Sequence, residues 1–329
     1  HIMTGAAATA HPRPPAMPSR PSAPAGLDAS AVLILLMCTV IWGGNLVAMK
    51  VALAGFPPFL QSGLRSLLAA LLVFAWCRWQ GIALFGRDGT LAAGFWAGVL
   101  FGGEFLTLYW GLAYTTASHA VVMINTAPFV VAIGAHLLLP GDRLTSVKWI
   151  GLVAAFVGVC VTMSEGLLAP GQVTLLGDLL CFAGAVLWGA TTVLVRVTKL
   201  RQASAEKTLL YQLAISAPML LAASLVAGEP GITNTATPVL AAFAYTVVIV
   251  AFISYTIWFW LVRTYPPTKV AAFTFLSPCF GVLLGHLVLG DPLSLTLGLG
   301  LALVAFGIWL VNRPPGRGRL RAAGAGSQA

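Results

Sequence analysis

Two stretches of this chain, HAVVMINTAPFVVAIGAHLLLPGD from His119 to Asp142 and KVAAFTFLSPCFGVLLGHLVLGD from Lys269 to Asp291, are versions of one another. Each is apolar and long enough to cross a bilayer, which takes roughly 20 helical residues. Each carries a proline in mid-span (Pro128, Pro278), a histidine eight residues later (His136, His286) and a closing aspartate (Asp142, Asp291). A proline inside a helix removes one backbone hydrogen bond and crowds the carbonyl four residues back, here that of Ile124 and of Thr274. Within lipid, only protein or a water-filled cavity can satisfy the freed groups. Two equivalent breaks in two halves of one chain therefore point to a repeat-built membrane bundle with a cavity between the halves.

Composition agrees. The chain is 59% hydrophobic and only 8% charged, against about 25% charged residues in soluble domains. The net charge of +9 raises the question of nucleic acid, but the basic residues lie between apolar runs rather than in a stripe with interleaved aromatics. They read as topology signals, and no nucleic-acid partner is expected. The five cysteines are scattered singly through apolar runs without CxxC spacing, so they read as small core residues. No metal or cofactor motif is present, and no catalytic set is assigned.

Spans are placed near 30–50, 58–79, 91–113, 117–139, 146–164, 175–197, 207–227, 237–262, 268–289 and 293–312. The expected fold is an all-α integral membrane protein of ten transmembrane helices. A Pro-, Ala- and Ser-rich N-terminal tail (1–29), expected to be disordered, precedes a first five-helix unit (30–164), a second (165–312) and a basic C-terminal tail (313–329). With the N-terminus inside, 16 of the 18 Lys and Arg residues fall on the inner side, Lys50 and Arg65 being the exceptions. Both termini are therefore expected in the cytoplasm. Lys50 is expected to snorkel to the outer headgroups.

The repeat runs through the whole membrane region. Trp42-Gly43 matches Trp188-Gly189, Gln61 matches Gln212, Trp110 matches Trp260, and Gly151 and Gly158 match Gly300 and Gly307, at offsets of 146 to 151. Because five helices make one unit, the second unit enters the membrane from the opposite side. Such inverted repeats let one fold open to either face.

WGGN at 42–45 with its echo WGAT at 188–191, Arg65 early in the second span, and the SHAVVMINTAPFVVAIGAHLLLPGDRLT run with its echo resemble the drug/metabolite transporter superfamily over residues 30–312. Within it the chain is most similar to the ten-helix, EamA-type metabolite-exporter branch. That resemblance implies a bacterial inner-membrane exporter of amino acids, aromatic or otherwise neutral. The family closes its fourth and ninth helices with glycine and glutamate. Here those sites read PGD and GD, so that role carries over only as an acidic end-cap.

Ionisable groups deep in a membrane are costly and are functional candidates by default. Arg65 and Glu104 meet that description, either as a structural pair or as substrate ligands, Arg65 for a carboxylate and Glu104 for an ammonium or a coupling proton. Trp42 and Asn45 share one helix face, and Trp188 with Thr191 repeats them. Asn125 sits beside the Pro128 break, where the second half has Phe275. Tyr255 and Trp258 are three apart in mid-helix, placed either for packing or for stacking on an apolar substrate. These eight are the candidate substrate-binding residues. His119, Pro128, Lys269 and Pro278 are the candidate gate. The glycine ridges Gly94-Gly98-Gly102 and Gly281-Gly285 serve close helix packing, within one chain or between copies, so the oligomeric state stays open.

The expected function is a secondary transporter for a small metabolite, most simply an amino acid, working by alternating access. No Walker-type phosphate loop occurs, so ATP is not the direct energy source. An intramembrane enzyme is disfavoured by the lack of HExxH, of paired intramembrane aspartates and of a clear Ser–His pair. A passive channel or facilitator is the other alternative, separated from a carrier by saturation and counterflow.

Overall fold

A computed structural model describes residues 28–84, 86, 88–138, 144–168, 173–264, 273 and 276–312. All regular structure among them is helical. The helices are α1 (Ala29–Ala52), α2 (Pro58–Trp79), α3 (Leu91–Tyr114), α4 (Ala117–Ile124), α5 (Ala127–Leu138), α6 (Ser146–Leu168), α7 (Leu175–Val197), α8 (Ala205–Val226), α9 (Thr237–Ala244), α10 (Tyr255–Thr264), α11 (Ser277–Leu284) and α12 (Leu295–Asn312). Wider π-helical turns join α9 to α10 and extend α11 to Leu289. Among the described residues, eight helical segments are long and apolar enough to cross a membrane, with α4–α5 and Thr237–Trp258 each forming one of them. The last two expected spans correspond to shorter apolar helices, Ser277–Leu289 and Leu295–Leu310. Residues 1–27 and 313–329, Asp142, Lys269 and Phe275 lie outside the described residues, so the expected N-terminal tail ends two residues early, with Asp28 and Ala29 already part of the start of α1.

Local chemistry sets the helix ends. Asp28 caps α1 through Ala31 N, Thr174 caps α7 through Gly177 N, and Ser204 caps α8 through Lys207 N. α2 begins at Pro58 without a side-chain cap of its own. Its free amides at Phe59 and Leu60 instead donate to the two carboxylate oxygens of Glu229, at 2.9 and 2.8 Å. A carboxylate there also complements the positive end of the helix dipole.

The break expected at Pro128 is present as the turn Asn125–Thr126 between α4 and α5. Side chains of the turn donate back to carbonyls of α4, Asn125 Nδ2 to Val121 O at 2.8 Å and Thr126 Oγ1 to Met123 O at 2.7 Å. Pro278 stands in the first turn of α11, where a proline costs no helical hydrogen bond.

Packing runs mainly between helices far apart in sequence: α6 on α12, α3 on α7 and α8, α2 on α8, α1 on α11 and α9, and α5 on α7. Glycines permit these approaches. Gly94, Gly98 and Gly102 receive Tyr211, Ile215 and Met219 of α8, and Gly281 lies against Gly43 and Val121. Both ridges are thus internal contacts. The expectation for Lys50 is overturned: its ammonium turns inward and donates to Leu112 O and Thr115 O, at 2.5 and 2.7 Å. Two carbonyls at the end of α3 satisfy the ion better than a membrane edge it would have to stretch to reach.

Candidate functional site: a cavity within the bundle

A cavity of about 700 Å³ lies among α1, α2, α3, α4, α7, α8 and the segments that follow α9. The helices alternate in direction, so the bundle has a near side, where α1 begins, and a far side, where α1 ends. The Lys207–Asp88 ion pair (2.7 Å) marks the near side, and the Glu229 cap on α2 marks the far side. The cavity reaches the near side at Arg201 and Ala203, on the turn between α7 and α8. Toward the far side its walls end near Leu108 and Val121. Beyond them Leu112, Thr115 and Ser118 are all buried and packed.

All eight expected substrate-binding residues line this one cavity. Trp42 and Asn45 enter from α1, Arg65 from α2, Glu104 from α3 and Asn125 from the α4–α5 turn. Trp188 comes from α7, and Tyr255 and Trp258 from α10. Trp42 is held by a 2.8 Å hydrogen bond from its Nε1 to Ser254 Oγ and meets Trp258 edge-on, ring centres 5.0 Å apart. These contacts fix two large aromatic faces in a wall that mixes apolar and polar residues.

Arg65 is 2% exposed and Glu104 5%, yet they form no ion pair with each other. Among the described residues, Arg65 Nε and Nη1, Glu104 Oε2 and Asn45 Oδ1 have no hydrogen-bond partner. The guanidinium carbon sits 4.6 Å over the Phe105 ring, which orients its plane without using its N–H groups. A buried polar atom left unpaired costs about 1–3 kcal/mol, and more when charged. The site therefore presents a donor fork, a carboxylate and an amide oxygen to whatever occupies the cavity.

The expected gate residues separate. Pro128 lines the cavity and Pro278 is buried beside Ser277, which also lines it. His119 is away from the cavity, with its Nδ1 3.0 Å from Asp178 Oδ2. His136 and His286 have local roles: Leu144 N donates to His136 Nδ1 at 3.2 Å, and His286 Nδ1 lies 2.9 Å from Asp291 O.

Several lining residues escaped the sequence reading. Phe101, Phe105 and Leu108 line the cavity with Glu104 on α3: Phe101 and Leu108 lie three and four residues from Glu104, and Phe105 four and three from those two, the spacings that bring helix side chains together. Arg201 stands at the mouth, and Gln212 lines the wall while its repeat equivalent Gln61 is buried away from it. Asp178 carried no signal beyond its place at a helix start.

The model of the EamA-like transporter family matches residues 29–164 and 175–313. The uncharacterized transporter YvbV of Bacillus subtilis is 29% identical over 286 residues, covering 85% of this chain and 90% of the relative. A probable amino-acid metabolite efflux pump of Salmonella typhimurium is 26% identical, covering 84% and 93%. A solved crystal structure superposes with a TM-score of 0.59 at 21% identity, over 86% of this chain and 97% of its own, so the fold is shared. With its apolar helices and central cavity, this chain is a multi-pass membrane transporter and belongs to the EamA-like transporter family.

Proposed function

We propose that the protein is a secondary carrier in a bacterial inner membrane that exports small amphipathic zwitterions, amino acids with apolar or aromatic side chains, by alternating access. The carrying observation is the pair of buried, unpartnered groups facing the cavity. Arg65 suits a carboxylate through its planar fork, while Glu104 with Asn45 Oδ1 suits an ammonium. Trp42, Trp258 and Phe105 leave aromatic surface beside them for the side chain. The name of the Salmonella relative agrees with this substrate class.

In this reading ten helices form two inverted units, 30–164 and 165–312, with both termini in the cytoplasm. The packing supports it, because contacts survive exchange of repeat-equivalent residues. A Cβ on Gly43 would meet Ser277 O and Phe280 Cβ; one on Gly189 would meet Ala127 O and Val130 Cβ. Gly158 approaches Gly300, and Gly307 approaches Gly151. The two ranges matched by the family model support the same division. His119, Pro128, Lys269 and Pro278 then belong to the moving parts, with Pro128 at a ready-made hinge in the cavity wall.

Titration of the purified protein with L-phenylalanine, L-phenylalaninamide and N-acetyl-L-phenylalanine tests the site. Saturable binding of the zwitterion alone is expected. Equal binding of the amide would remove Arg65 from carboxylate recognition, and equal binding of the N-acetyl compound would remove Glu104 from ammonium recognition.

A further inference from the structure

The far end of the bundle is closed by a cluster of buried polar and charged groups drawn from five segments. Lys50, at the end of α1, donates to Leu112 O and Thr115 O at the end of α3. Thr115 Oγ1 donates to Asp178 Oδ1 at 2.7 Å, and Asp178 Oδ2 meets His119 Nδ1 at 3.0 Å. Asp291 Oδ2 accepts from both Ser118 N and Ser118 Oγ, at 2.9 and 2.8 Å, tying the segment after α11 to the start of α4.

We infer that this cluster is a latch: closed, it leaves the cavity open only to the near side, and it must separate for substrate to leave on the far side. The inference rests on the carrier reading above. Packing alone does not call for such an arrangement. Several buried ionisable groups carry a desolvation penalty that apolar residues of similar size would avoid, while loss of one partner leaves another charge stranded. A contact that must form and break, and be satisfied by water when apart, is the setting in which polar groups serve better than apolar ones.

The cluster is also joined to the cavity wall. α1 carries Asn45 and Lys50, α3 carries Glu104 and Leu112, α4 carries Val121 and Ser118, and α7 carries Trp188 and Asp178, so each of these helices has a residue in the cavity and one in the latch. Rigid helices cannot part at the latch without moving the cavity walls.

The two ends of the bundle differ in this respect. At the offset that matches Trp42 with Trp188, Lys50 corresponds to Arg196, which is exposed on the near side, and Asp178 corresponds to Val32 in the first turn of α1. The near end thus has no carboxylate in the place of Asp178, and its own ion pair, Lys207–Asp88, joins α8 to the segment before α3.

A disulfide across the latch tests this. Thr115→Cys with Asp178→Cys, in a chain whose five natural cysteines are replaced, is reconstituted in liposomes and oxidised. Oxidation is expected to reduce phenylalanine counterflow to the level of empty vesicles and reductant to restore it. Binding of L-phenylalanine from the near side should stay within about twofold, as expected for a distant site. Counterflow that persists in the cross-linked protein would overturn the latch. Asp178→Val supplies an independent measurement: a cysteine placed at Val121 should react faster with an impermeant maleimide added from the far side than in the chain with Asp178, and equal rates would also overturn it. Failure of the carrier reading looks different, since counterflow would then be missing from the chain without the cysteine pair.

Discussion

Arg65 and Glu104 gain their meaning from what they do not touch. Had they paired, the cavity wall would be electrostatically complete; unpaired and nearly fully buried, they wait for complementary charge. Replacing Arg65 with glutamine is expected to weaken phenylalanine binding by about 2–5 kcal/mol, the cost of truncating one member of a buried charged contact, measured by calorimetry. Lysine at the same position should recover only part of it, since a point charge replaces a bidentate fork. Outside the membrane spans, Asp88 makes a second prediction. Hydrogen bonds from Lys207 first, and then from Thr90, hold its carboxyl well below the ordinary range. A depressed pKa gives stability that is fully present above the unfolded value of about 3.9 and is lost only as pH falls through the lower, folded value. Melting of Asp88→Asn should therefore differ from that of the native chain by a constant amount between about pH 5 and about pH 8. A difference indistinguishable from zero across that window would mean the contact is not made in solution.

At the scale of helices, glycine contacts and one proline break set what the elements can do. A Cβ at Gly307 would lie 2.5 Å from Gly151 O and 2.9 Å from Ala155 Cβ, with backbone on one side that cannot swing away. Gly307→Val is expected to destabilise the α6–α12 pair by about 1–3 kcal/mol, typical of overpacking, seen as a lower melting temperature in detergent. The α4–α5 turn is different, because Asn125 and Thr126 tie it back to carbonyls of α4. Pro128→Ala should therefore leave the fold and phenylalanine binding intact and slow the transport cycle, which initial-rate uptake and calorimetry on the same preparation would separate. Much at this scale was legible in the sequence: eight of the span positions, the break beside Asn125 and the matched glycines all follow from residue types and spacing. Lys50 was not, because a lysine near a helix end has equivalent sequence patterns whether it reaches outward to headgroups or inward to the carbonyls of a neighbouring helix.

For the whole molecule as the proposed carrier, a cavity open toward one side and packed on the other is one half of its transport cycle. A carrier of this kind should show saturation and accelerated exchange when unlabelled phenylalanine is loaded on the opposite side of the membrane. Flux proportional to concentration without exchange would instead mark a passive facilitator. The conclusion that this chain crosses a membrane many times needed no coordinates, since bilayer thickness and the absence of water in lipid leave apolar runs of this length few alternatives. The kinship of its two stretches was equally visible, because a repeat is a property of the string. Folding alone decided that eight residues from six separate spans share one cavity, that Arg65 and Glu104 stand apart, and that Lys50, Asp178 and Asp291 gather at the end opposite the mouth. Periodicity records which face of a helix is apolar. It does not record which other helix that face meets, so contacts across 59 to 173 residues belong to the tertiary structure.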